Sequence, residues 1–234
     1  MARIAALGST GPCHRHHPAE EGIPLSSIVC SKLRVVFAVA LCLIAVASVR
    51  VLAEDREDWQ EPDRVMADLQ LTPGQAVADV GCGYGYFTFR MASAVGDGGQ
   101  VYAVDISDDA LKAVAEQARN SGITNIQPVR SEPTDTKLGD ASVNAALFCD
   151  VLHHVPETDR LPLVTDVVRA LRPGGYLYII DWRKSRDIPF DPYEILIPHE
   201  DLVTLGESAG CTFDAEFHYL KYQVFLRFRK PPAE

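Results

Sequence analysis

The chain has 234 residues, of which 47% are hydrophobic and 23% are charged. This composition is that of a globular protein rather than a disordered one, and the length suits one ordinary domain. The net charge of −10 is unevenly distributed, because residues 1–53 carry +3 and the remainder carries −13. An acidic body argues against a nucleic acid as partner, since phosphate binding needs a basic surface.

The N-terminal segment contains a hydrophobic stretch behind basic residues. Lys32 and Arg34 precede an apolar run from Val35 to Val49, which Ser48 interrupts. A helix of this length spans about 22 Å, less than the roughly 30 Å of a bilayer core. The pattern predicts a secretory signal peptide that is cleaved after Ala53, with an uncleaved signal anchor as the alternative.

These features predict the domain organisation and the location of the protein. Residues 1–53 are expected to form a disordered lead followed by the signal segment, and residues 54–234 the folded domain. The positive charges in front of the apolar run predict that the domain is exported. In the alternative, residues 33–52 associate the chain with a membrane.

Strands and helices alternate through the rest of the chain. The predicted elements are a helix over Pro62–Leu69, a strand over Ala76–Val80, a helix over 85–94, a strand over Gln100–Asp105, a helix after Ser107, strands over Asn125–Arg130 and Val143–Phe148, a helix up to Leu171, a strand over Tyr176–Asp181, a loop over 183–197, a helix over His199–Ala209, and a hairpin of Ala215–Tyr219 and Val224–Phe228. Such alternation with short connections predicts a parallel sheet covered by helices on both faces. Pro128 places the third strand at an edge of the sheet.

The most distinctive segment is a glycine-dense turn between the first predicted strand and its helix. Gly81, Gly83 and Gly85 allow positive φ and leave the backbone open to a ligand. The free N–H groups at the start of the helix point to the same place. Asp105 ends the next strand, where a carboxylate accepts hydrogen bonds from ribose hydroxyls. The combination predicts a cofactor that contains a nucleoside.

The details of this turn distinguish between such cofactors. The dinucleotide fingerprint needs a third glycine where this chain has Tyr86, and the phosphate-binding P-loop needs a Gly-Lys-Ser/Thr sequence that does not follow. The arrangement Asp79-x-Gly81-x-Gly83-x-Gly85 instead resembles the first motif of class I S-adenosylmethionine-dependent methyltransferases.

Three further motifs follow in the order of that family. They are Asp105, the residues 148–154 after the fourth strand, and the residues 171–175 before the fifth. The resemblance covers roughly residues 56–229. It implies an α/β, Rossmann-like fold, with a doubly wound, mostly parallel sheet of seven strands that ends in a C-terminal antiparallel hairpin. It also implies S-adenosyl-L-methionine as cofactor, a small-molecule substrate and no metal.

The resemblance also implies which residues bind the cofactor. They are Asp79, Gly81, Cys82, Gly83, Tyr84, Gly85, Asp105, Ile106, Glu132 and Cys149. Asp105 is expected to bind the ribose, and Asp79 either fixes the glycine turn or contacts the methionine end. Cys82 and Cys149 are either small neighbours of the ligand or buried, unreactive thiols.

The catalytic residues are expected after the fourth strand, where the family places its substrate. These are Asp150, His153 and His154, and a histidine there can accept a proton from the attacking atom. Adjacent histidines point in different directions, so at least one of them is expected to pack against the sheet. Residues 56–63 are expected to cap the pocket, with Trp59 either covering the sulfonium or anchoring the segment.

Two other functions share parts of this pattern. A nicotinamide-dependent oxidoreductase has a similar strand, loop and acidic residue, although Tyr86 and the Pro173-Gly174-Gly175 turn argue against it. A non-catalytic exported protein that binds a nucleoside cofactor is the second alternative. The predicted export signal also conflicts with a cofactor that is made in the cytoplasm.

Overall fold

The computed structural model describes residues 56–183 and 196–233. The predicted signal segment and most of the predicted loop over residues 183–197 lie outside these ranges. Within them, no helix combines the length and the apolar character that a membrane span requires.

The described ranges contain seven strands and five α-helices, besides a helical stretch at residues 56–60. In chain order these are α1 (Pro62–Asp68), β1 (Ala76–Val80), α2 (Thr88–Val95), β2 (Gln100–Asp105), α3 (Asp108–Asn120), β3 (Ile126–Arg130), β4 (Val143–Cys149), α4 (Glu157–Ala170), β5 (Leu171–Trp182), α5 (His199–Ser208), β6 (Thr212–Glu216) and β7 (Gln223–Arg229). A 3₁₀ turn over Leu152–His154 lies between β4 and α4.

The strands form one sheet in the order β3-β2-β1-β4-β5-β7-β6. The first five strands of this order are parallel, and β7 is antiparallel to both β5 and β6. The predicted fold, a seven-stranded and mostly parallel sheet with an antiparallel C-terminal hairpin, is therefore confirmed. β3 lies at an edge, as its proline predicted. The carboxyl ends of β1, β2 and β4 meet at one edge of the sheet, which places the segments that follow them side by side.

The central strands are buried on both faces, which explains their apolar sequences. Ala78 of β1 belongs to a core cluster that includes Val164 of α4 and Leu202 of α5. The preceding residue of β1, Val77, belongs to a second cluster with Met91 of α2. Successive side chains of a strand point to opposite faces, so β1 holds the two helical layers together.

Three predicted elements have a boundary that is wrong by three residues or more. β5 begins at Leu171 rather than at Tyr176, because Leu171 already pairs with Val143 and the residues between form an irregularity in the strand. α2 begins at Thr88 rather than at residue 85, since turns occupy residues 83–87. β6 covers Thr212–Glu216 instead of Ala215–Tyr219, because both stretches have a similar, half-buried pattern.

Candidate functional site

The glycine turn follows β1 at the carboxyl edge of the sheet. Gly81 and Gly83 both have left-handed backbones, with φ of +74° and +50°. A Cβ atom on Gly81 would lie 2.4 Å from Cγ2 of Val151, whereas a Cβ atom on Gly83 would meet no atom within 4 Å. Glycine at position 81 therefore allows contact with the segment after β4, and glycine at position 83 keeps space open in front of the backbone.

Asp105, at the end of β2, is bonded to the glycine turn. Its Oδ2 accepts a hydrogen bond from the Gly83 N–H at 2.8 Å, and its Oδ1 accepts one from the Ser107 N–H at 2.8 Å. A carboxylate offers about four acceptor positions, so two remain for ligand hydroxyls. Asp105 thus holds the turn against β2 and retains the capacity that a ribose requires.

A cavity of about 380 Å³ opens beside these residues. It is lined by Val80, Gly81, Asp105, Ile106, Ser131, Glu132, Pro133, Asp150, Val151, His154, Val155, Pro156, Asp159 and Leu163. Four predicted cofactor residues and two predicted catalytic residues are therefore brought together. Ile106 is 60% exposed, which is unusual for a large apolar side chain and provides a surface for a flat ring. Apolar walls with a carboxylate at one side fit a nucleoside.

The other predicted cofactor residues lie outside this lining. They are Asp79, Cys82, Gly83, Tyr84, Gly85 and Cys149. Tyr84 is 75% exposed, so its side chain extends into solvent. Burial raises the pKa of the Cys82 and Cys149 thiols above the usual value, so both stay protonated. This supports the interpretation of both cysteines as unreactive thiols, with Cys82 buried and Cys149 half-buried.

Asp79 has a structural contact inside the fold. Its side chain is buried, and its Oδ2 accepts a hydrogen bond from Thr88 Oγ1 at 2.6 Å. Burial raises the pKa of Asp79 to about 6, and the negative charge of Asp105 acts in the same direction. Because Thr88 begins α2, this bond connects β1 with the helix on the far side of the glycine turn. Contact with the methionine end of a cofactor stays a prediction.

Asp150, which follows β4, belongs to a polar cluster with Arg56, Gln60 and Gln223. Gln223 Nε2 donates a hydrogen bond to Oδ1 of Asp150, and Gln60 Nε2 lies 3.3 Å from its Oδ2. Arg56 Nη2 lies 3.6 Å from the same oxygen. The backbone φ of Asp150 is +60°, a costly conformation for a residue other than glycine, and the surrounding contacts hold it. Burial and the charge of Asp181 raise the pKa of Asp150.

The two histidines have different environments. His153 is buried, with Nδ1 2.6 Å from Oδ1 of Asp181, and its backbone N–H donates to Oδ2 of the same residue at 3.2 Å. His154 is exposed and lines the cavity. Burial lowers the pKa of His154, and the neighbouring His153 ring acts in the same direction. The structure therefore packs one histidine against the sheet, as expected for adjacent residues, and leaves the other beside the cavity. Their part in catalysis stays a prediction.

Residues 56–60 lie against the ends of β4 and β7. The Gln60 side chain is fully buried, with Nε2 3.1 Å from Cys149 Sγ and 3.2 Å from Gln223 Oε1. The rings of Trp59 and Trp182 have centroids 5.1 Å apart. This packing supports an anchoring role for Trp59.

Several residues of the site were not identified from the sequence. In the cavity these include Ser131, Val155 and Leu163, and in the polar cluster Gln60 and Gln223. Asp181 was also missed as the partner of His153, although it ends an apolar strand in the same way as Asp105. The position of Asp181 at the end of an apolar strand could have identified it as a residue of the site. Glutamines carry no comparable signal in a single sequence.

Residues 56–183 and 196–233 contain no group of three or more His, Cys, Asp and Glu side chains placed to hold a metal ion.

Comparison with known proteins adds independent evidence. Residues 77–175 match the model of a family described as methyltransferase domain. The chain is 31% identical to the ubiquinone/menaquinone biosynthesis C-methyltransferase UbiE of Shewanella woodyi over 65% of this chain and 60% of that enzyme. It is also 31% identical to the arsenite methyltransferase of Halobacterium salinarum over 52% of this chain and 30% of that enzyme. The chain thus covers less than two thirds of either relative.

The fold is also similar to that of a solved SAM-dependent methyltransferase from Aquifex aeolicus. The TM-score is 0.68 at 26% identity, over 74% of this chain and 92% of that one. The family model begins within β1 and ends within β5, so it includes the glycine turn, Asp105 and the segment after β4. Residues 77–175 therefore carry a methyltransferase domain with the class I fold, and the cofactor of that class is S-adenosyl-L-methionine.

Proposed function

We propose that this chain transfers a methyl group from S-adenosyl-L-methionine to a small-molecule acceptor. The observation that carries the proposal is the cavity in which Gly81, Asp105, Ile106 and Glu132 meet at the carboxyl edge of the sheet. Strand ends at such an edge are the usual ligand site of open α/β sheets. The negative net charge of the domain favours a small acceptor over RNA.

The chain's own residues divide into two groups. Asp105 is positioned to accept hydrogen bonds from the ribose, and Ile106 and Glu132 to flank the adenine. When bound, the cofactor supplies a methyl group on a positively charged sulfur, which needs no metal to leave. What the protein adds is orientation of the two reactants and exclusion of water.

His154 is the proposed general base for the acceptor. It lines the cavity, and its lowered pKa keeps the imidazole neutral near pH 7, so a ring nitrogen can accept a proton from the attacking atom. His153 is bonded to Asp181 behind it, and we propose that it holds this turn in place. Asp150 also lines the cavity and is proposed to face the reacting groups.

The test is a binding and methyl-transfer assay on the full chain in mild detergent. Calorimetry is expected to show binding of S-adenosylmethionine and S-adenosylhomocysteine, with NAD as the negative control. Methyl-labelled cofactor is then supplied with arsenite and with a demethylated quinone, the acceptor types of the two relatives' names. Binding of NAD alone would refute the proposal. Cofactor binding without transfer to these acceptors or to cell extracts would favour the non-catalytic alternative.

We also propose that the domain is exported, or held at a membrane through residues 33–52. The support is the basic and apolar pattern of residues 32–50, which precedes the domain. Fractionation of cells that express the full chain with a C-terminal tag, followed by intact-mass measurement, tests this. A full-length protein in the soluble cytoplasmic fraction would contradict both versions.

A further inference from the structure

The amino-acid end of the cofactor needs a partner for its carboxylate, and the predicted cofactor residues include no cation. The cavity extends from Glu132, after β3, past Asp105 to Asp150, after β4. From β2 to β4 is two strand spacings, about 10 Å. A ligand whose ribose meets Asp105 can therefore extend its amino-acid end along the glycine turn toward Asp150 and the polar cluster.

Arg56 provides a positive charge at that end. Its Nε donates to Oε1 of Gln60 at 2.7 Å, and its guanidinium lies 3.9 Å from the centroid of the Tyr86 ring. One edge and one face of the guanidinium are thereby held. Its Nη2 lies 3.6 Å from Asp150 Oδ2, longer than a hydrogen bond. The Nη edge therefore keeps donors in the paired arrangement that matches a carboxylate.

The charge of Arg56 also reaches the acidic residues around the glycine turn. It opposes the effect of burial on the pKa of Asp79 and of Asp150. A methionine moiety carries one ammonium and one carboxylate. A site with Asp150 and Arg56 side by side has the matching pair of charges.

On these grounds we propose that Arg56 binds the carboxylate of the cofactor's methionine moiety. The proposal rests on the proposed function, since it assumes that S-adenosylmethionine occupies the cavity. The alternative is that Arg56 only ties residues 56–60 to the domain. The ion pair with Asp150 is a weak tie, because the arginine is 39% exposed and such pairs contribute little.

The chain offers a matched control in Arg90. Its guanidinium lies 4.4 Å from the centroid of the same Tyr86 ring, but its Nη2 pairs with Glu57 Oε1 at 2.6 Å. Tyr86 also donates to Glu57 Oε1, at 3.0 Å. Arg90→Gln therefore loosens residues 56–60 and leaves the charge of Arg56 in place.

The experiment compares S-adenosylmethionine with decarboxylated S-adenosylmethionine by calorimetry on the full chain. The wild type is expected to bind the first about ten- to hundredfold more tightly, as loss of a charged hydrogen-bond partner predicts. Arg56→Gln is expected to reduce this preference to about twofold, and Arg56→Lys to an intermediate value. Arg90→Gln is expected to keep the wild-type preference.

The outcomes separate the two proposals. A wild type that binds both ligands equally would overturn the role of Arg56, whether or not the variant folds, and so would an unchanged preference in Arg56→Gln. A loss of preference in Arg90→Gln equal to that in Arg56→Gln would assign the effect to attachment of the segment and would also overturn it. A wild type that binds neither ligand would overturn the proposed function itself.

Discussion

Replacing Gly81 by alanine is expected to destabilise the domain more than the same change at Gly83. Both positions have positive φ, which costs about 1–2 kcal/mol for alanine. Only at Gly81 does the new Cβ also overlap a neighbour, at 2.4 Å from Val151 Cγ2, and such overpacking costs about 1–3 kcal/mol. The free energy of unfolding is therefore expected to fall by about 2–5 kcal/mol for Gly81→Ala and by about 1–2 kcal/mol for Gly83→Ala.

Urea denaturation of the full chain, followed by tryptophan fluorescence, measures these differences. A double-mutant cycle with Val151→Ala tests the cause, because this change removes the methyl groups that the new Cβ meets. In that background the cost of Gly81→Ala should fall to that of Gly83→Ala. Equal destabilisation by the two single variants, or a cost at Gly81 that Val151→Ala leaves unchanged, would refute the reasoning.

Three further predictions concern single side chains of the site. Asp105→Asn is expected to weaken S-adenosylhomocysteine binding about ten- to hundredfold in calorimetry, because a charged acceptor is lost, whereas Asp108→Asn should leave it unchanged; similar affinities for both variants would contradict this. His154→Gln is expected to lower kcat about 100- to 10,000-fold and to remove the acid limb of the pH profile, whose midpoint lies below 6.5 because burial lowers the pKa of His154. A limb that persists in the variant would identify another base. Burial raises the pKa of Asp79 from 3.8 to about 6, so the folded state disfavours the ionised carboxyl. The free energy of unfolding therefore falls as the pH rises from 3.8 to about 6, and the loss is about 3 kcal/mol above pH 6. Asp79→Asn should therefore gain stability relative to the wild type from pH 4 to pH 7 in urea titrations, and a constant difference would exclude this effect.

The sheet was predictable from sequence where an apolar run has sharp ends. β1 and β2 lie where predicted, because buried parallel strands are uniformly apolar and here end at Gly81 and at Asp105. The start of β5 was not predictable, since a Pro-Gly-Gly sequence usually ends a helix or a strand. In the structure Gly174 has a φ of +76° and lets the strand continue through an irregularity. The Pro-Gly-Gly sequence therefore lies inside β5 instead of before it.

The nucleoside side of the site was also predictable, and the opposite side was not. Asp105 ends β2, Ile106 follows it and Glu132 follows β3, so their meeting at one edge follows from the parallel topology. Gln60 and Gln223 lie 163 positions apart in sequence, and neither belongs to a motif. Their contact depends on tertiary packing, and no local pattern of residues encodes it.

That contact has a consequence for the order in which the site forms during synthesis. The ribosome completes β1 to β4, and with them the glycine turn and Asp105, long before it reaches Gln223. Because β7 runs opposite to its neighbour, its first residue arrives at the edge where the earlier strands end. Asp150 gains its last amide partner only then. The cofactor half of the domain can thus assemble on a growing chain, while the half beside Asp150 becomes complete only when nearly the whole protein has been made.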